Sequence, residues 1–141
     1  MKKIIISALA ASALTISAYA SQKAENFYVV VTSADALTQY MSMVLSTQAK
    51  EKGANVDILL CGQAADLALK DSKETLLKPQ DKSPQMLMKN LINGGVKVEV
   101  CPPYLPNAGK SAEDLLEGVS VAKPPVVADK MLDKNTQILS Y

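Results

Sequence analysis

Apolar runs of strand length alternate with helix signals along most of this 141-residue chain, and that order restricts the fold more than any other feature. Residues 27–31 (Phe-Tyr-Val-Val-Val) are the kind of continuous apolar, β-branched run expected of a strand covered on both faces. Asp35 stands three residues after Thr32, a spacing that resembles a capping box. Leu37, Tyr40, Met41, Val44, Leu45 and Gln48 follow at helical spacing and predict a helix that Gly53 stops. A second strand ends at Cys61, and residues 64–69 form a short helical piece after Gly62 and Gln63. Residues 70–82 are the most polar stretch and predict a solvated loop.

Ser83 followed by Pro84 is a helix start, with serine at the cap and proline in the first turn. Leu87, Met88, Leu91 and Ile92 supply that helix's apolar face, and Asn93-Gly94-Gly95 ends it. A third strand over residues 96–100 alternates apolar with charged, which predicts one face less covered than the other. Ser111 opens a small helix through Leu115 and Leu116, residues 118–121 form a fourth strand, Pro124-Pro125 opens another helix, and residues 136–140 close the chain as a fifth strand. This order predicts an α/β layered domain, a mostly parallel five-stranded sheet flanked by helices.

The first twenty residues predict a signal peptide rather than part of the fold. Lys2 and Lys3 precede an apolar, small-residue stretch over residues 4–17, and Ala18-Tyr19-Ala20 is a small-x-small cleavage site. The stretch falls short of the roughly 18 apolar residues a membrane span needs, and no later segment approaches that length. The expected organisation is therefore a signal peptide over residues 1–20 and one domain over residues 21–141, exported to the periplasm. No cysteine directly follows the cleavage site, so no lipid anchor is expected. Loss of Lys2 and Lys3 leaves 13 basic residues against 14 acidic ones, a net charge of −1. None of the basic residues is arginine. A near-neutral chain without arginine lacks the basic patch for nucleic acid and the fork for bidentate phosphate recognition.

Histidine is absent as well, which removes the histidine-dependent hydrolase triads and the usual general acid–base group. No phosphate-binding loop occurs, and no cofactor is expected. Asp66, Glu99, Glu113 and Asp129 read as solvated surface carboxylates. What remains is sulfur. Cys61 and Cys101 are the two cysteines, and each directly follows a predicted strand, where ligands and reactive groups collect in open parallel sheets.

A family resemblance becomes visible around the second cysteine. Residues 95–101 (Gly-Val-Lys-Val-Glu-Val-Cys), Gly109, Leu115-Leu116-Glu117-Gly118-Val119, and the closing Asp129-Lys130-Met131 with residues 136–141 resemble the second half of DsrE/DsrF-like proteins. The resemblance implies a small flavodoxin-like α/β fold and a homo-oligomer, trimer or hexamer. It also implies sulfur relay, with Cys101 at the position of the cysteine that carries sulfane sulfur as a persulfide and a sulfur-donor or acceptor protein as partner. This chain departs from many relay members in having no arginine near that cysteine and in carrying an export signal.

Chemistry sets conditions on that role. A nucleophilic thiolate needs a nearby cation or helix amino terminus, and Pro102 and Pro103 have no N–H to offer. The amides of Gly62, Gln63 and Ala64 and the ammonium of Lys110 are the candidate sources. Tyr104 and Asn107, from the loop after the two prolines, complete the expected pocket rim. Two readings of each cysteine stay open: a reactive thiol, with Cys61 as resolving partner to Cys101, or a small packed hydrophobe. A disulfide is a further option in an oxidising compartment. In the flavodoxin-like order the first strand lies between the second and third, which sets the thiols about two spacings of 4.8 Å apart and weighs against a bridge. Soft-metal binding, with Met86 or Met88 joining the thiols around Cu(I), is the alternative from another class, although methionines at helical spacing are more often core filler.

Overall fold

A computed structural model describes residues 25–141; the signal peptide expected over residues 1–20 lies outside them. Five strands, β1 (Asn26–Val31), β2 (Asn55–Leu60), β3 (Lys97–Val100), β4 (Val119–Val121) and β5 (Thr136–Ser140), form a single sheet in the order β4-β3-β2-β1-β5. All four pairings are parallel. Helices α1 (Ala36–Glu51), α2 (Pro84–Asn93), α3 (Tyr104–Asn107) and α4 (Pro124–Leu132) flank it, giving one α/β domain with flavodoxin-like layering.

The strand order corrects one expectation. β2, not β1, is the central neighbour: it pairs with β1 on one side and β3 on the other. Given that order, the handedness of parallel crossovers sets which face each helix covers. From β1 to β4 the chain steps across the sheet in one direction, so right-handed connections put α1 and α2 on the same face. The return to β5, beside β1, then runs through α4 over the opposite face.

The two faces are covered unequally. Beneath α1 and α2, alternate residues of the central strands (Val29, Val31, Ile58, Leu60, Val98 and Val100) join Met43, Met88 and Leu91 in one large core. On the α4 side the apolar cluster is small: Tyr28, Leu59 and Ala122 are buried, with Val30, Cys61, Cys101, Val127 and Met131 packed around them. An aliphatic sheet of this size is stabilised mainly by the first face, where whole side chains leave water.

Two local readings change. The cap of α1 is Asp35, whose carboxylate accepts from the Thr38 N–H at 2.8 Å, while the Thr32 hydroxyl donates to the Tyr141 carbonyl. The residues at helical spacing in α1 are also not its most buried ones: Leu37 and Met41 are exposed, and Gln39, Ser42, Met43 and Ser46 are buried. Small side chains let the helix approach closely, and the Ser42 and Ser46 hydroxyls are satisfied by the Gln39 and Ser42 carbonyls of their own helix at 2.7 Å. Sequence periodicity counts hydrophobicity, and here size and local hydrogen bonding outweighed it.

Glu99 is likewise not a solvated carboxylate. It is 5 % exposed on the α4 side, 2.7 Å from the Lys97 ammonium and 3.8 Å from that of Lys130, which also pairs with Asp57 at 2.6 Å. The less covered face foreseen for β3 is therefore real in composition but is closed by ion pairing. Tyr28 lies in the same layer, with the Lys130 ammonium 5.6 Å from its ring centre.

Candidate functional site

The two cysteines occupy equivalent places one residue beyond their strands. Leu60 is opposite Val100 in the β2–β3 register, so the next residues, Cys61 and Cys101, are opposite each other. Both continue the ladder: the Cys61 N–H donates to the Val31 carbonyl and the Cys101 N–H to the Leu60 carbonyl, each at 2.9 Å. Equal register in neighbouring parallel strands also means equal facing, and both side chains lie on the α4 side. Their Cα atoms are 5.1 Å apart and they are joined as a disulfide. That separation is ordinary for such a bond. The bridge that the flavodoxin-like order weighed against is thus made, because no strand intervenes.

The surroundings of the pair come from three chain segments. After Cys61 the chain turns through Gly62, at φ +55°, into a 3-10 helix over Gly62–Ala68. That left-handed backbone suits glycine and turns Gln63 and Asp66 toward the end of β3. After Cys101, Pro102 and Pro103 lead into α3, a helical turn where a loop was expected, and the Tyr104 N–H returns to the Cys101 carbonyl at 3.0 Å. The Tyr104 hydroxyl donates to the Asp66 carboxylate at 2.5 Å and ties the two segments together. Burial first, then the Asp66 hydrogen bond and charge, hold that hydroxyl protonated well above the usual tyrosine range.

Between these segments lies a cavity of about 390 Å³ lined by Cys101, Gly62, Gln63, Asp66, Tyr104 and Asn107, together with Pro103 and Ala108. Five of the residues singled out from sequence therefore meet around one space. Of the two bonded cysteines, Cys101 lines it and Cys61 does not. Lys110 is placed elsewhere. Its ammonium is 2.7 Å from the Asp71 carboxylate, and it lines the neighbouring cleft instead. The Asp71 hydrogen bond raises the Lys110 pKa, and the reciprocal bond lowers that of Asp71, so the ammonium expected beside Cys101 is engaged by a carboxylate. Asp66 was missed as a site residue because a lone exposed aspartate carries no signal until the fold brings Tyr104 to it.

The soft-metal alternative loses one of its proposed ligands. Met88 is fully buried in the core on the other face of the sheet from the cysteines. Among the described residues no group of three or more histidine, cysteine, aspartate or glutamate side chains is placed to hold a metal ion, and no helix is long and apolar enough to cross a membrane.

A parallel five-stranded α/β domain with a cysteine pair closing its carboxyl edge is the class that this architecture defines. Its family follows from the sequence match: residues 14–139 fit the model of the DsrE/DsrF-like family, and the chain belongs to it. Among solved structures, the chain is similar to the ychN protein from E. coli, with a TM-score of 0.71 at 18 % identity over 83 % of this chain and 99 % of that one. It is also similar to a protein of unknown function from Methanobacterium thermoautotrophicum (TM-score 0.63, 16 % identity, 82 % of this chain and 98 % of that one). A conserved protein of unknown function from Bacteroides thetaiotaomicron has a TM-score of 0.60 at 18 % identity, covering 85 % of this chain and 98 % of that one. At these identities the likeness is one of fold. No curated protein matches the sequence.

Proposed function

We propose that this protein carries sulfane sulfur on Cys101, with Cys61 as the resolving thiol. Family membership supports a sulfur-relay-type role in general, and one observation carries the specific assignment: of the two bonded sulfurs, only Cys101 belongs to a residue lining the carboxyl-edge cavity. In the reduced protein the Cys101 thiolate attacks the outer sulfur of a donor persulfide, R–S–SH, giving Cys101–S–SH and R–S⁻. An acceptor thiolate then takes that outer sulfur. Without an acceptor, the Cys61 thiolate attacks the inner sulfur of Cys101, closes the disulfide and releases HS⁻. The bridged state is the empty, oxidised carrier, and two electrons from thiols return it to the start.

The same reading has the chain exported, with cleavage near Ala20, and working as a homo-oligomer beside a sulfur-donor or acceptor protein. The exposed apolar side chains of Val121, Val126, Leu132 and Ile138 near the sheet edges and on α4 support self-association.

The test is the intact mass of protein taken from its native compartment, then after reduction and exposure to polysulfide. A mature amino terminus near Ser21, and gain of one sulfur atom that reductant removes, are expected. Cys101→Ser should abolish the gain, and Cys61→Ser should prolong it by removing the resolving thiol. Equal sulfur uptake by Cys101→Ser, or none by the reduced native protein, would sink the carrier reading and leave the disulfide as a staple. Light scattering on the same sample reads the subunit number, and a monomer would remove the oligomer from the proposal.

A further inference from the structure

The cavity at Cys101 does not stand alone. A second cleft, of about 440 Å³, meets it at Gln63 and Asp66, which line both. Together the two volumes lie within the range of ligand sites on proteins. Their chemistry differs. Alanine and proline carbons and the Tyr104 ring lie beside Cys101, whereas the second cleft carries the carboxylates of Asp66, Asp71 and Glu74 and the ammonium groups of Lys73 and Lys110.

These walls are largely fixed before any ligand arrives. Asp71 is held by Lys110; Glu74 accepts from the Ser83 hydroxyl at 2.7 Å and from Lys89 at 3.2 Å. Gln39 and Gln85, both buried, donate their amide hydrogens to backbone carbonyls of Ser33, Leu67 and Leu69. Lys73 is different: among the described residues it has no ion-pair partner, and the Gln63 side chain makes no hydrogen bond. A fixed cleft with charges of both signs and one uncommitted cation fits a small molecule that carries both a carboxylate and an ammonium.

We infer that the paired cavities bind a zwitterionic thiol of short-peptide size, its sulfur at Cys101 and its charged ends in the second cleft, with Lys73 taking a carboxylate. This rests on the carrier reading and names the reductant that resets it. The thiolate R–S⁻ attacks the Cys101 sulfur; the disulfide breaks and Cys61 leaves as a thiolate that takes a proton from water. A second thiolate attacks the R sulfur of the mixed disulfide, Cys101 leaves as its thiolate, and R–S–S–R departs. Two thiols are oxidised and one protein disulfide is reduced, so electrons balance.

The experiment follows reduction of the full mature protein's disulfide by quenched alkylation and intact mass, with glutathione, glutathione diethyl ester and 2-mercaptoethanol at matched thiolate concentration. Glutathione should reduce it with saturating kinetics and at least tenfold faster than its diethyl ester, which keeps the thiol and loses the carboxylates. Lys73→Glu should cut the glutathione-to-ester ratio at least fivefold, with an unchanged circular dichroism spectrum confirming the fold. Gln63→Ala should lower the same ratio. Rates linear in every thiol and equal for glutathione and its ester would overturn the proposal, as would a disulfide that none of the three reduces. Polysulfide loading of Cys101, measured after reduction by a phosphine, stands apart from these rates. Loading with no preference among thiols would reject this site and keep the carrier; a preference without loading would do the reverse.

Discussion

At the scale of single residues, the α4 side of the sheet buries polar groups along with apolar ones. Tyr28 is 2 % exposed, and its hydroxyl has no hydrogen-bond partner among the described residues. Burial, then the negative charges of Glu99 and Asp57, push its pKa up to about 12 from the ordinary 10. An acid whose folded pKa is raised keeps its proton while the unfolded chain releases its own. Stability is therefore full below about pH 10 and falls as pH rises toward 12. Tyr28→Phe should lessen that alkaline loss in urea unfolding at pH 8 and pH 11. At neutral pH it should be neutral or stabilising by up to about 1 kcal/mol, since an unsatisfied buried hydroxyl is removed. An unchanged alkaline slope would show that other tyrosines carry it.

Among the elements, α2 offers the clearest test of local coding. Ser83 is fully buried; its hydroxyl accepts from the Met86 N–H at 3.1 Å and donates to Glu74, so one side chain caps the helix and fixes a wall of the polar cleft. Ser83→Ala should cost about 1–2 kcal/mol in chemical denaturation, from the lost cap and the carboxylate left without its donor. The Ser83 bond comes first among the causes that lower the Glu74 pKa. A lowered carboxylate contributes stability above its ordinary value of 4.5 and loses it as pH falls through the folded value. The penalty of Ser83→Ala should accordingly shrink as pH falls below 4.5, and a penalty independent of pH would assign it to the cap alone. This helix start was legible because serine before proline has a local cause. The face of α1 was not, because Ser42 and Ser46 are buried by virtue of small size and hydrogen bonds to their own helix.

For the whole molecule, the disulfide closes a loop of 40 residues that spans α2 and joins adjacent strands. In the chain-entropy account such a closure stabilises the folded state by up to about 4 kcal/mol relative to the reduced chain. Reduction should lower the melting temperature measured by circular dichroism while leaving the spectrum at 25 °C unchanged, since the sheet and the large core do not depend on the bond. Collapse of the folded spectrum on reduction would make the bridge a structural necessity and remove the thiol state that a carrier requires.

Periodicity, caps and breakers in the sequence determined the five strands, the α2 start and the placing of both cysteines just beyond strand ends, because each has a cause within a few neighbouring residues. The resemblance around Cys101 likewise pointed to the family that the full match assigns. Tertiary structure alone decided which strands are neighbours. That choice depends on how much apolar surface each arrangement buries, which is a sum over the whole chain. From it follow the Cys61–Cys101 bond, the meeting of Asp66 with Tyr104, the diversion of Lys110 to Asp71 and the burial of Glu99 between two lysines.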